Sequence, residues 1–209
     1  LTKNLDRTLE LLKERLLSPK FEQNAFDRIK NQTLENIANA YTQPVSIASL
    51  NWARIVYGSN SVFGVSTSGT KASVESITMD DVKKFYDSFY GPDIGRVIIS
   101  GDVSQSDIIK KLSWMKGWAK KNYNVAEATL GSSYKPNVIY FIDKDKAAQS
   151  EIRVGYLALP YDAFGDYYKS TIMNYQFGGA FNSRINLTMR EDKGWTYGTR
   201  SSFSGSKYP

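Results

Sequence analysis

Histidine and cysteine are both absent from the 209 residues. Without cysteine there is neither a disulfide framework nor thiolate chemistry. Without histidine the chain lacks the commonest zinc ligand and the usual general base near neutral pH. Any metal would have to be held by carboxylates alone, which leaves calcium or magnesium. No D-x-[DN]-x-[DN]-G loop occurs, and Asp80 with Asp81, or Asp143 with Asp145, is too sparse to form one. No bound metal and no catalytic residue are therefore expected here. Long apolar runs are also missing. Stretches such as 96–99 and 152–159 are too short to cross a bilayer, and no charged-then-apolar leader opens the sequence. The sequence begins inside a helix-like pattern and stops just after a strand-like run, so a fragment of something longer is expected.

What is present suits a folded soluble protein. Hydrophobic residues make up 41% and charged residues 23%, which sets the chain apart from disordered and collagen-like sequences and provides for one large or two small cores. A net charge of +6 and a pI near 9.3 raise the question of a polyanionic partner. Lys83-Lys84, Lys110-Lys111 and Lys120-Lys121 each fall on the polar face or in the last turn of an amphipathic helix pattern. Lysine is solvated there and complements the helix dipole, so nucleic-acid binding is not expected.

Leu5, Leu9, Leu12 and Leu16 recur at helical spacing, and Ser18-Pro19 ends that segment. A second helix is predicted from about Phe21 to Gln43-Pro44 and a third from there to Tyr57-Gly58, followed by a Gly/Ser/Thr-rich loop over 58–76. Thr78-x-x-Asp81 has the form of a capping box opening a helix that carries Val82, Phe85, Tyr86 and Phe89 and ends at Tyr90-Gly91-Pro92. Residues 94–100 are a β-branched run that predicts a buried strand, and Ser104 with Asp107 predicts a helix N-terminus. That helix should reach about Lys120. The polar, aperiodic stretch 122–135 reads as a linker. Strands are predicted over 138–142 and 151–159, a helix over about 164–177, a second helix after Gly178-Gly179, and a final strand after Gly194. The fold class expected is α+β, with helices packed on a mixed or antiparallel sheet.

The most distinctive stretch runs from Gly178-Gly179-Ala180-Phe181-Asn182-Ser183-Arg184 through Met189-Arg190-Glu191-Asp192-Lys193-Gly194-Trp195-Thr196-Tyr197-Gly198. The paired glycines allow a tight reversal and a close approach of the next helix. The Lys-Ser/Thr ending of a phosphate loop is missing. Gly194 permits a left-handed exit that should place the Arg190 guanidinium and the Tyr197 phenol near one corner. Both are donors to carbonyl oxygen and suit an extended peptide. A dipole contact plus packing would account for the same two residues without function.

This run resembles the insulinase/pitrilysin-type (inverzincin) zinc peptidases, whose Gly-Gly-x-(Phe)-x-Ser-Arg-Leu helix and R-E-x-x-G-x-x-Y segment are paralleled by residues 178–202. Upstream, Ala148-Gln149-Ser150-x-Ile152-Arg153-Val154-Gly155-Tyr156 is similar to the opening strand of a family repeat. Tyr90-x-Pro92-x-Ile94 through Gly101-Asp102-Val103 is similar to the close of the preceding one. The resemblance implies a peptidase of two halves, each of two α+β repeats, closing around an unfolded peptide, with zinc in one repeat only. It implies that 1–124 is the C-terminal part of one repeat, and 125–209 a linker and the N-terminal part of the next. It also implies that Arg190 and Tyr197 contact the substrate backbone.

The departures from the family pattern carry equal weight. The H-x-x-E-H zinc helix would precede residue 1, and Glu35 stands in a helix that departs from the E-R-x-V-x-x-E pattern, so it reads as solvent-facing. The resemblance thus implies the zinc-lacking half of a bacterial member. No cofactor is expected in this chain, and zinc in a partner half or subunit. The expected role is scaffold and substrate contact, or alternatively a non-proteolytic assembly module. The expected compartment, on resemblance alone, is the bacterial periplasm or envelope.

Overall fold

Helices form where apolar period and capping residues coincide. A computed structural model describes residues 2–93, 95–121, 127–128 and 135–207. After a 3-10 turn at Thr2–Asn4, helix α1 spans Leu5–Leu17 and stops at Ser18, ahead of Pro19. Helix α2 spans Gln23–Ala40 and α3 spans Pro44–Tyr57. Proline suits the first position of α3, where its missing N–H would have no intrahelical partner. Gly58, at φ +84°, ends α3 and donates its N–H to the Arg54 carbonyl at 3.0 Å. Glu35 is exposed on α2, as its surroundings predict.

Helix α4, Lys71–Ser76, falls within the stretch expected to be loop. Its start is made by Thr70 and Ser73. The Thr70 hydroxyl accepts from the Ser73 N–H at 3.2 Å, and the Ser73 hydroxyl accepts from the Thr70 N–H at 2.8 Å. This reciprocal pair outweighs the low helix preference of the surrounding Gly, Ser and Thr. Helix α5, Met79–Phe89, opens on the predicted box, with Thr78 Oγ1 accepting from the Asp81 N–H at 3.2 Å and the Asp81 carboxylate accepting from the Thr78 N–H at 2.9 Å. Helix α6, Gln105–Lys111, starts at Ser104, whose hydroxyl accepts from the Asp107 N–H at 3.1 Å. A 3-10 turn at Ser113–Gly117 follows, so the helix expected to reach about Lys120 is shorter. Beyond it, α7 spans Asp166–Asn174 and runs into a π-helical turn at Tyr175–Gly179. Helix α8, Arg184–Asn186, runs into a second π turn at Leu187–Asp192.

The chain forms two compact units, Leu1–Ile47 with Ser66–Ala128, and Ala48–Val65 with Thr129–Pro209. The boundary expected at 124–125 and most of the expected linker over 122–135 lie outside the described residues. In the first unit α2 packs on α4, and the Lys30 ammonium donates to the carbonyls of Glu75 and Ile77 at 2.7 and 2.8 Å, where cationic charge suits a helix C-terminus. An aromatic row joins Phe21 edge-on to Tyr86, Tyr86 stacked on Tyr90, and Tyr90 tilted against Trp118. The Tyr86 hydroxyl donates to the Leu16 carbonyl at 2.6 Å, and burial pushes that phenol's pKa up.

In the second unit Val56 is buried, and the Tyr57 and Phe63 rings meet at 5.7 Å. Tyr167 on α7 donates its hydroxyl hydrogen to the Phe203 carbonyl at 2.9 Å and accepts from the Gly205 N–H at 3.0 Å.

The expectation of an α+β fold with helices on a sheet is overturned. Among the described residues the architecture is helical, with no strand and no sheet. The runs 95–100, 138–142 and 151–159 carry no helix and no ladder, and many of their apolar side chains stand in solvent: Ile98 is 91% exposed, Ile139 93% and Val154 94%. Ile94 lies outside the described residues. A β-branched run states a local preference, but a strand exists only when a second segment pairs its N–H and C=O groups. After Gly194 the expected strand fails for a different reason. Backbone groups of Thr199, Ser201, Phe203 and Gly205 are taken by side chains and a carbonyl of the helical segments.

Candidate functional site

The stretch singled out in the sequence begins where the first π turn ends. A Cβ on Gly178 would stand 2.0 Å from the Ser201 hydroxyl and 2.7 Å from Ile185 Cδ1, so only glycine lets these segments meet. The Gly178 carbonyl accepts from the Ser201 N–H at 3.0 Å. Asn174, buried at the end of α7, donates its amide to the Ser201 carbonyl at 2.7 Å and accepts from the Ser201 hydroxyl. Asn186, also buried, donates to the Phe181 carbonyl at 2.6 Å and accepts from the Thr199 N–H at 2.9 Å. These two asparagines tie 199–201 to the helical layer. Ser183, 1% exposed, precedes α8, and its hydroxyl has no hydrogen-bond partner among the described residues.

Arg190 lies in the second π turn. That turn closes with Lys193 N–H donating to the Thr188 carbonyl at 3.1 Å, a five-residue step. Gly194, at φ +65°, donates to the Arg190 carbonyl at 3.2 Å and so makes the left-handed exit that was predicted. The Arg190 guanidinium carbon sits 4.8 Å from the centre of the Phe181 ring, and its Nε lies 3.5 Å from the Glu191 carboxylate. About a third of the side chain is exposed, at 34%, and its two Nη groups have no acceptor among the described residues. Tyr197 is 91% exposed, and its hydroxyl makes no hydrogen bond among the described residues. No contact joins Arg190 to Tyr197. Arg190 thus lies in the turn ahead of Gly194 with about a third of its side chain exposed, and Tyr197 lies three residues past Gly194, open to solvent.

Chemically, a guanidinium with a free fork and a free phenol can donate to carbonyl or carboxylate oxygen. Neither is a nucleophile activated by a base, and no histidine or cysteine is present to supply one. No group of three or more carboxylates among the described residues could hold a metal ion. The donor set does not suit zinc, which takes nitrogen and sulfur ligands beside carboxylate.

Sequence reasoning did not find Phe181 or the two asparagines as parts of this corner. Asn186 stands four residues before Arg190, so helical spacing puts both on one face, and that was the available signal. Asn174 is linked to a residue 27 positions away, which no local pattern encodes. On the first unit, a groove of about 480 Å³ is lined by Phe26, Asp27, Lys30, Ile77 and Lys83. Lys30 is already committed there to the carbonyls at the end of α4.

Residues 76–208 match the family described as the peptidase M16 inactive domain. The chain is 27% identical to the "Non-peptidase homolog YmxG" of Helicobacter pylori, over 95% of this chain and 46% of that protein. It is 24% identical to the "Uncharacterized zinc protease YmxG" of Bacillus subtilis, over 96% of this chain and 48% of the relative, and 23% identical to the "Probable inactive metalloprotease YmfF" of the same organism. It spans about half the length of these curated relatives. The crystal structure of a peptidase M16 inactive domain from Pseudomonas fluorescens superposes with a TM-score of 0.64 at 24% identity, covering 95% of this chain and 48% of the other, a likeness of fold alone.

Proposed function

Because the chain belongs to the peptidase M16 inactive-domain family, we propose that it is the zinc-lacking half of a zinc metalloendopeptidase, with Arg190 and Tyr197 contacting the backbone of a peptide cleaved by a zinc-bearing half. By itself the domain is not catalytic, in keeping with the family's description and with its non-peptidase relative. It carries no catalytic zinc. The observation that supports a substrate role is the free guanidinium fork of Arg190 together with the open phenol of Tyr197 seven residues on. Extended peptides present carbonyl oxygens at regular spacing, and two donors on one short segment suit that array.

The test is kinetic. In the full-length protein that contains this chain, replacing Arg190 and Tyr197 together by alanine should lower kcat/KM on an unfolded peptide by about tenfold or more while leaving zinc content unchanged. Parental efficiency in the double variant would refute the contact role.

A second reading is favoured by the printed names of two relatives, one a non-peptidase homologue and one a probable inactive metalloprotease. On that reading the whole protein binds or assembles without cleaving. A full-length protein that holds no zinc by elemental analysis and leaves unfolded peptides intact would support it, whereas stoichiometric zinc with peptide cleavage would support the first.

A further inference from the structure

Arg190 has a long side chain with many rotamers, and a donor that must be ordered at the moment of binding loses part of its affinity to that ordering. Here the ordering is built in. The guanidinium carbon lies 4.8 Å from the centre of the Phe181 ring, and Nε lies 3.5 Å from the Glu191 carboxylate. The two Nη groups have no acceptor among the described residues. A planar guanidinium stacks on an aromatic face in a way that a point-charge ammonium does not.

The Phe181 platform is itself held in place. Its carbonyl accepts from Asn186 Nδ2 at 2.6 Å, and the same buried amide accepts from the Thr199 N–H at 2.9 Å, two residues beyond Tyr197. One side chain thus ties the backbone of Phe181 to the segment just past Tyr197. Phe181 is 65% exposed, so its ring is not part of the buried core.

We propose that Phe181 is a positioning residue for Arg190: its ring, on a backbone held through Asn186, orders the guanidinium so that the Nη fork meets a peptide carbonyl. This rests on the reading of Arg190 as a peptide contact, and the experiment separates the two. In the full-length protein, the affinity for a fluorescein-labelled, uncharged, unstructured peptide of alanine, serine, leucine and threonine is measured by anisotropy.

Arg190→Ala should weaken binding about tenfold. Phe181→Leu should weaken it about three- to tenfold, Phe181→Trp should restore parental affinity, and Phe181→Leu combined with Arg190→Ala should bind no more weakly than Arg190→Ala alone. Rescue by a second aromatic residue distinguishes an ordering surface from general packing, and thermal melts of each variant check the fold. If Arg190→Ala weakens binding but Phe181→Leu does not, or if the two losses multiply in the double variant, the positioning role is overturned and the peptide contact stands. If Arg190→Ala binds as the parent does, the contact itself falls and the positioning role falls with it.

Discussion

Residues 199–205 and residues 151–159 both carry neither helix nor strand, and both belong to the second unit, yet they are held in opposite ways. The first is polar, Thr-Arg-Ser-Ser-Phe-Ser-Gly, and nearly every second residue is tied down. Thr199 is bonded to Asn186, Ser201 to Asn174 and Gly178, and Phe203 and Gly205 to Tyr167. The second is rich in apolar residues, but Ile152, Val154 and Tyr156 are 80%, 94% and 69% exposed and their backbone N–H groups have no hydrogen-bond partner among the described residues. Directional bonds from buried amides and a phenol place a segment in a register that apolar composition alone does not define. Arg190 and Tyr197 lie in the stretch closed by the Asn186–Thr199 bond, itself inside the one closed by Asn174 and Ser201.

Breaking those ties should have the largest effect. Asn174→Ala removes two bonds and leaves the Ser201 carbonyl short of a donor, so stability should fall by about 2–3 kcal/mol. Gly178→Ala should cost about 1–3 kcal/mol, because its Cβ would overlap the Ser201 hydroxyl. Val154→Ser, in the exposed run, should change stability by no more than about 0.5 kcal/mol. Urea melts of the three variants check the contrast, and an equal cost at Val154 would erase it.

Hydrogen exchange should sharpen the same comparison without any substitution. The amides of Thr199, Ser201 and Gly205 should exchange more slowly than those of Ile152, Val154 and Tyr156, read residue by residue. The smallest effect is expected at the entrance to α7, the helix that supplies Tyr167 and Asn174. The Asp162 carboxylate accepts from the Phe164 N–H at 2.9 Å, and this bond, followed by one from Gly165, holds its pKa below the ordinary 3.8. A depressed folded-state pKa contributes stability that is complete above the unfolded value and is lost as pH falls through the folded one. Protection of the Phe164 and Gly165 amides should therefore persist down to about pH 4 and fade below it, with the Asp162 carboxyl titrating late in an NMR pH series.

What the sequence by itself determined is what can be settled within about four residues or by counting side chains. The starts of α5 and α6 were legible in Thr78 with Asp81 and in Ser104 with Asp107, and the stops at Pro19, Gly58 and Gly194 were legible because φ restrictions act locally. The lack of nitrogen and sulfur zinc donors was legible by counting side chains. The motif around Gly178 and Arg190 carried the family, and residues 76–208 match it.

Only the tertiary structure decided which non-helical segments are held. Side-chain bonds from Asn174 to Ser201 and from Tyr167 to Phe203 span 27 and 36 positions, and strand pairing would have needed partners just as remote. The ring beside Arg190 was likewise decided there, since Phe181 and Arg190 meet across a turn whose π geometry has no sequence signature. Local preferences are set by each residue's own backbone and its near neighbours, whereas these contacts depend on which distant groups arrive with unpaired donors and acceptors.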